Sequence, residues 1–391
     1  MERPVIVSGA GPAGLAAAAL LAQENVPVTV ISPPPSLVDP RTTALMHPAM
    51  QLLKFIGVWP GDIMAESAPL QRLHLVDDVG NLVSAPTIEF AASELGLPEF
   101  GWNIPLARLI PALHARALAL GVEFVEGKCA AAALGADAIT VTLEDGRQRE
   151  AKLVLAADGV NSPLRKSLGF TTTTRKFDQH ALVTNFDHTG SHEFTSTEWH
   201  KQDGPFTTVP LPGRRSALVW MARPERIAAL AALSPEQLAI EIQLAGHGSL
   251  GKISGVTPVR SFPMQVQRAT ELAKPRVMLI GEAAHAFPPI GAQGLNLSLR
   301  DAATAADLII GAADPGAAAN CAEYASLRHS DVVPRLEITG LMNSSLLSDM
   351  PAFHLGRALT LSAVAKIPPL RAFAMRQGIS VAASLPFAMR G

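Results

Sequence analysis

Residues 4–31 read PVIVSGAGPAGLAAAALLAQENVPVTVI, and this stretch decides the fold. The apolar run Pro4–Ser8 is short and rich in β-branched residues, as a buried strand should be. It gives way to Gly9, Gly11 and Gly14, then to an Ala/Leu-rich helix reaching about Gln23. Val26–Ile31 reads as a second buried strand. Strand, glycine turn, helix and strand make a βαβ unit on a parallel sheet. Glycines at this spacing allow a tight turn and let the backbone approach a pyrophosphate held at a helix N-terminus. The turn Gly9-Ala10-Gly11-Pro12-Ala13-Gly14 is therefore a candidate dinucleotide site. An acidic residue is expected at the end of the second strand, about 20 residues on, to bond a ribose hydroxyl. Ser32 stands there instead, a shorter and neutral partner.

Farther along, Asp39-Pro40-Arg41 is expected to open a helical segment, and the alternation from Leu70 to Ser84 predicts a hairpin. Leu106–Leu120 has helical spacing and Val122–Val125 is strand-like. Ile139–Leu143, a turn at Asp145-Gly146 and Ala151–Ala157 are expected to form another hairpin. Between about 171 and 270 the character changes to short strands such as Ala181–Phe186, Phe206–Leu211 and Ala217–Met221, which predict an inserted antiparallel sheet. Val277–Ile280 returns to a buried strand before a long helix to about Ile310, and the rest from Ala317 reads as mostly helical.

Composition fits this plan. The chain has 391 residues, 48% hydrophobic and only 17% charged, which suits a packed two-domain protein and excludes a disordered one. A net charge of −2 gives no reason to expect nucleic acid as a partner. Two cysteines, Cys129 and Cys321, make no disulfide framework and suit a reducing cytoplasm. The first residues run straight into a strand with no secretory apolar region, and the longest apolar stretch, Ala13–Ala22, is too short to span a bilayer. The expected location is cytoplasmic, with a peripheral seat on the inner face of the cytoplasmic membrane kept open. The histidines lack ligand spacing, so no metal site is expected.

Two further motifs carry chemistry. Asp158-Gly159-Val160-Asn161-Ser162-Pro163-Leu164-Arg165 follows the apolar run LVLAA, and Gly281-Glu282-Ala283-Ala284-His285 continues as AFPPIGAQGLNLSLRD to Asp301. With the glycine turn, they resemble the class A flavoprotein monooxygenases, the fold group of para-hydroxybenzoate hydroxylase. Within it the chain looks most similar to the ubiquinone-biosynthesis hydroxylases. The family's D-G-x-x-S-x-x-R pattern is met by Asp158, Gly159, Ser162 and Arg165. Its G-D-A-A-H motif and following P-x-x-G-Q-G-x-N loop are matched by Gly281, Ala283, Ala284, His285, Gln293, Gly294 and Asn296. Glu282 replaces the usual aspartate and Ala292 a glycine. The segment from Asp39 through Arg41 to Leu45 also resembles the family, as do Gly204-Pro205, Pro210-Leu211-Pro212 and Val219-Trp220.

The resemblance implies an α/β fold: a Rossmann-like FAD-binding domain from 1–70, 102–170 and 271–315, an inserted antiparallel substrate domain from 71–101 and 171–270, and a C-terminal helical region over 316–391. It implies non-covalent FAD held by Gly9, Gly11, Pro12, Ala13, Gly14, Ser32, Asp158, Gly159, Gly281, Glu282, Ala292, Gly294, Leu295 and Asn296. Arg41 and Arg108 join this set, Arg41 on the phosphate or adenosine side. A carboxylate at position 282 can accept a bond from a ribityl hydroxyl, from one methylene farther away than an aspartate. Pro288, Gly291, Gln293 and Gly294 form the loop expected at the flavin, where backbone N–H groups and a positive helix end favour reduced flavin. His285 is read as structural.

The family mechanism has NAD(P)H reduce the flavin transiently and oxygen form a C4a-hydroperoxide that attacks an electron-rich ring. No protein nucleophile is needed. Tyr324 is the only tyrosine, so a tyrosine pair that withdraws a phenolic proton is impossible here. His180, His188, His192 and His200 are candidate bases, weighed against a reading as surface histidines. From Met350 onward the chain holds Arg357, Lys366, Arg371, Arg376 and Arg390 with no acid. Such a segment can rest on anionic lipid or on a quinone-biosynthesis complex, or can simply pack on the catalytic domain. The leading expectation is hydroxylation of a lipophilic, polyprenylated quinone precursor with O2. A hydroxylase of a small soluble aromatic and a non-catalytic, weak-flavin subunit are the rivals, the second because Ser32 and Glu282 replace expected acids.

Overall fold

The computed structural model describes residues 3–34, 39, 41–80, 87–288, 292–346, 367, 369, 371–372, 375 and 385–390. Its helices include α1 (Pro12–Gln23), α2 (His47–Phe55), α3 (Leu106–Ala119), α4 (Pro163–Ser167), α5 (Pro224–Ala231), α6 (Pro235–Ala245), α7 (Gln293–Ile309) and α8 (Ala318–Leu346).

A six-stranded sheet lies at one end. Its order is Ala273–Lys274, Val277–Leu279, Leu153–Ala156, Val5–Ser8, Val28–Ser32 and Glu123–Glu126. All pairings are parallel except the first, which is antiparallel. The four central strands are buried throughout, which is why they read as mostly apolar runs, with only Ser8, Thr29 and Ser32 polar, and not as regularly alternating ones. Helix α1 buries Ala13 to Leu21 between this sheet and α7. Its alanines keep the helix close to the sheet, and Leu15, Leu20 and Leu21 fill the space between.

The second large sheet contains nine strands. Its centre is antiparallel: Arg260–Ala269, Thr172–His188, Arg215–Ala222, Gly204–Leu211 and Thr195–Lys201. The strand Arg72–Asp77 joins in parallel beside Thr195–Lys201, so the sheet is mixed and not purely antiparallel as expected. Helices α5 and α6 cover one face over Leu182, Phe186, Phe206, Leu218 and Trp220.

Three local expectations need correction. The segment after Arg41 is a strand, Thr42–Met46, before α2 begins at His47. The β-branched Thr42 and Thr43 pair with Gly101–Pro105, and the helix starts where Pro48 can take a first-turn position. The hairpin after Leu70 returns later than predicted, at Ile88–Ala91, and residues 81–86 lie outside the described set. The hairpin after Ile139 closes with Gln148–Ala151, whereas Leu153–Ala156 leaves it for the parallel sheet. An edge strand with exposed Gln148, Arg149 and Glu150 suits a hairpin, and a fully apolar LVLA suits a buried sheet.

Among the described residues, no helix is long and apolar enough to cross a membrane, and no group of three or more metal-ligating side chains gathers. Most of the basic tail lies outside them, including Arg357, Lys366 and Arg376. Arg371 pairs with Glu94 at 2.6 Å and sits 4.7 Å over the Phe90 ring, while Met375 packs with Ile88, Phe90 and Phe100. This part of the tail is spent on the large sheet.

Candidate functional site: three turns at the head of the parallel sheet

Each glycine of the first turn has its own steric reason. Gly9 has φ +111°, and a Cβ there would lie 2.4 Å from the Ala157 carbonyl oxygen. A Cβ on Gly14 would meet the Gly9 carbonyl oxygen at 2.2 Å, so this glycine seats α1 against the strand. A Cβ on Gly11 meets nothing within 4 Å. Gly11 is thus required by neither turn nor packing, and leaves backbone open at the start of α1. That helix begins at Pro12 with no side-chain cap, so its first free N–H groups and positive end face outward.

The second turn lies beside the first. The Ala157 N–H donates to the Ser8 carbonyl at 2.9 Å, which carries Asp158 and Gly159 to the same edge of the sheet. Asp158 Oδ2 accepts from the Leu164 N–H at 3.2 Å, and Oδ1 is buried with no partner among the described residues. Burial pushes the Asp158 carboxyl above its ordinary pKa, only partly offset by Ser162, the Leu164 N–H and Arg165. Gly159 has φ +84° and open space where its Cβ would be. Ser162 caps α4 by accepting from the Arg165 N–H at 2.9 Å. The buried Arg165 guanidinium donates to the carbonyls of Val160 at 2.7 Å and Ala283 at 2.8 Å, so it ties the second turn to the third.

The third turn closes over α1. Gly281 has φ +62°, and its Cβ would lie 3.2 Å from that of Ala13. Its N–H donates to Asp301 Oδ2 at 2.9 Å, and His285 Nε2 lies 2.7 Å from the same oxygen. His285 is wholly buried, in agreement with a structural reading. Glu282 is exposed, and its charge is felt by Arg41, whose pKa is raised chiefly by its bond to Asp39. Pro288 is buried, and Gly291 lies outside the described residues. Ala292 is left-handed at φ 54°, ψ 29°, which explains a family glycine there. A Cβ on Gly294 would meet nothing within 4 Å. Leu295 packs on the main core, and Asn296 accepts from the Met46 N–H and donates to the Ala44 and Ala292 carbonyls. Its side chain therefore locks Thr42–Met46 to α7.

Other expected residues sit less centrally. Ser32 is buried and its hydroxyl donates to the Pro33 carbonyl at 2.9 Å, leaving oxygen lone pairs to accept. Arg108 turns to Glu66, 2.7 Å away, with both side chains half exposed. The surface reading fails for two histidines: His188 and His200 are buried, bonded to Ser216 and Glu198. Their strands place them inward, at positions that alternation along a sheet decides. Tyr324 is buried and donates to the Leu279 carbonyl at 2.7 Å, so it stays behind the parallel sheet. Burial also raises both cysteine thiols, Cys129 to about 11.

Sequence reasoning missed a buried charged cluster behind the third turn. Arg328 reaches Asp301 at 2.6 Å and Asp331 at 2.7 Å; Arg300 reaches Asp331 at 3.1 Å; Arg335 reaches Asp331 at 3.1 Å and Gln293 Oε1 at 2.8 Å. The spacing Arg328, Asp331, Arg335 on one helix was the available clue.

These residues fit a dinucleotide flavin. An uncapped helix start, an orphaned carboxylate oxygen on Asp158 and three turns bound to one another make an elongated polar edge with room at Gly11, Gly159 and Gly294. Residues 2–331 match the FAD binding domain family. The chain is 32% identical to ubiquinone hydroxylase UbiL of Rhodospirillum rubrum, over 96% of this chain and 89% of that protein. It is 29% identical to 3-demethoxyubiquinol 3-hydroxylase of Escherichia coli, over 94% and 91% of the two chains. Among solved structures, p-nitrophenol 4-monooxygenase PnpA of Pseudomonas putida superposes with a TM-score of 0.76 at 21% identity, covering 97% of this chain and all of that one. With the match covering most of its length, the chain belongs to the family built on this FAD-binding domain.

Proposed function

We propose that this protein uses FAD, reduced by NAD(P)H, to hydroxylate the aromatic ring of a polyprenylated ubiquinone precursor with O2. The observation that carries the reading is the convergence of the three turns, with the orphaned Asp158 oxygen and the open Gly11 backbone on one edge. The names of the curated relatives supply the substrate class. FAD, when bound, supplies the activation of oxygen.

The chain's own residues bind and orient. The start of α1, with Gly11 and Ala13, would hold the pyrophosphate; Asp158 and Glu282 would accept hydroxyl bonds; Ser32 would accept one more weakly. Ala292, Gly294 and the first turn of α7 would face the flavin ring, their N–H groups favouring negative charge there. Proton withdrawal from the substrate falls to neither Tyr324, His188 nor His200, because each is already bonded away from this edge.

We assign 1–70, 102–170 and 271–315 to the FAD domain, 71–101 and 171–270 to the substrate domain, and 316–391 to a C-terminal region. A seat at a membrane surface or in a biosynthetic complex is supported by the lipophilic substrate, although Arg371 has no charge to spare for it. The test is direct. Purified protein with FAD, NAD(P)H, O2 and a demethoxy or unhydroxylated quinol should yield a product heavier by one oxygen atom. Deletion of the gene should make the corresponding precursor accumulate. Loss of neither activity nor product in the deletion would remove the assignment.

A further inference from the structure

The charged cluster between α7 and α8 is unbalanced. Three guanidinium groups, Arg300, Arg328 and Arg335, share two carboxylates, Asp301 and Asp331, all at least nine-tenths buried. One positive charge is left over before His285 is counted. Arg335 lies at the edge of the cluster nearest the third turn. It donates to Gln293 Oε1 at 2.8 Å and lines a small open pocket with Arg300, Ala292, Gln293 and Asn296. Its Nη2 is buried and has no partner among the described residues. A buried charge is poorly screened and acts over a longer range than one in water.

We propose that Arg335 is a positioning residue for the flavin: through Gln293 it holds the first turn of α7, and with Arg300 it sets the cluster's unpaired positive charge behind that turn. The charge adds to the helix N-terminus and makes the site prefer reduced, anionic flavin over the oxidised form. This rests on the placement of the flavin ring at residues 292–296. Because the same cluster also receives the Gly281 N–H through Asp301, it braces both turns that meet the flavin.

The midpoint potential of bound FAD tests this. Arg335→Met should weaken the preference for reduced over oxidised flavin about tenfold, a shift of about 30 mV to more negative values for a two-electron couple. Arg335→Lys, which keeps the charge, should stay within about threefold, or about 15 mV, of the wild type. The pair Arg335→Met with Asp331→Asn removes one charge of each sign, so it should recover most of the shift. An unchanged potential in Arg335→Met holoprotein, or an equal shift in Arg335→Lys, overturns the inference. Gly294→Val separates this from the placement itself: a Cβ at 294 meets no protein atom within 4 Å, so unaltered FAD affinity would put the flavin elsewhere and overturn both.

Discussion

Single residues decide whether the glycine turn binds or merely folds. Gly11 and Gly14 sit three positions apart, yet a Cβ on the first meets nothing while one on the second strikes the Gly9 carbonyl. Gly14→Ala should therefore cost roughly 2–3 kcal/mol of stability through overpacking, and Gly11→Val should leave the melting temperature of apoprotein nearly unchanged while abolishing FAD fluorescence quenching. Equal melting temperatures for the two variants would show that Gly14 does not seat the helix. Glu282 and Ser32 separate similarly. Glu282 offers a charged acceptor in the open, whereas the Ser32 hydroxyl already donates its hydrogen bond to the Pro33 carbonyl. Glu282→Ala should weaken FAD binding by about 1.5–3 kcal/mol and Ser32→Ala by about 1 kcal/mol or less. Isothermal titration of the two apoproteins measures the ranking, and a reversed order would assign the ribose contacts to the other strand end.

At the scale of elements, α7 and α8 are clasped by charge. Burial pushes the Asp331 carboxyl up, but Arg328, Arg300 and Arg335 outweigh it and bring its pKa down to about 2 from the ordinary 3.8. A carboxylate with a lowered folded pKa adds stability above its unfolded pKa and loses it as pH falls through the folded one. The gap between 3.8 and about 2 amounts to roughly 2 kcal/mol, present at pH 5 and lost between about pH 4 and pH 2. Denaturant titrations across that range should show the loss. In Asp331→Asn the slope should flatten, from a starting stability about 3–5 kcal/mol lower because buried arginines lose their partner. A steep acid transition unchanged in Asp331→Asn would place it elsewhere. This clasp also marks where reading the sequence stopped. Val5–Ser8, Leu153–Ala156 and Val277–Leu279 were legible because a strand buried on both faces is apolar at nearly every position, Ser8 being the one polar residue of the three. Thr42–Met46 was taken for helix because five residues hold too little periodicity to separate it from α2 behind it. The motifs of the three turns carry their spacing locally and so were visible. The pairing of Arg328 with Asp301 crosses two helices, and only packing brings such residues together.

For the whole molecule, the site is a product of chain closure. Its turns come from residues 9–14, 158–165 and 281–296, and each holds another: Ala157 on Ser8, Arg165 on Ala283, Gly281 against Ala13. A ligand that touches all three binds only the folded chain, so it must stabilise the fold by mass action. Two of the proposed contacts are weaker than the family pattern, with a neutral Ser32 and a lengthened Glu282. FAD should thus bind in the micromolar range and be partly lost on gel filtration. Raising free FAD to about one hundred times its dissociation constant should add about 2.7 kcal/mol to stability, seen as a concentration-dependent rise in melting temperature. Ala292→Gly should raise the melting temperature of the apoprotein, because the left-handed turn at φ 54° no longer carries a Cβ. A nanomolar dissociation constant in the unaltered protein, with melting already saturated at stoichiometric FAD, would show that the substitutions at 32 and 282 cost nothing and that the remaining backbone contacts suffice.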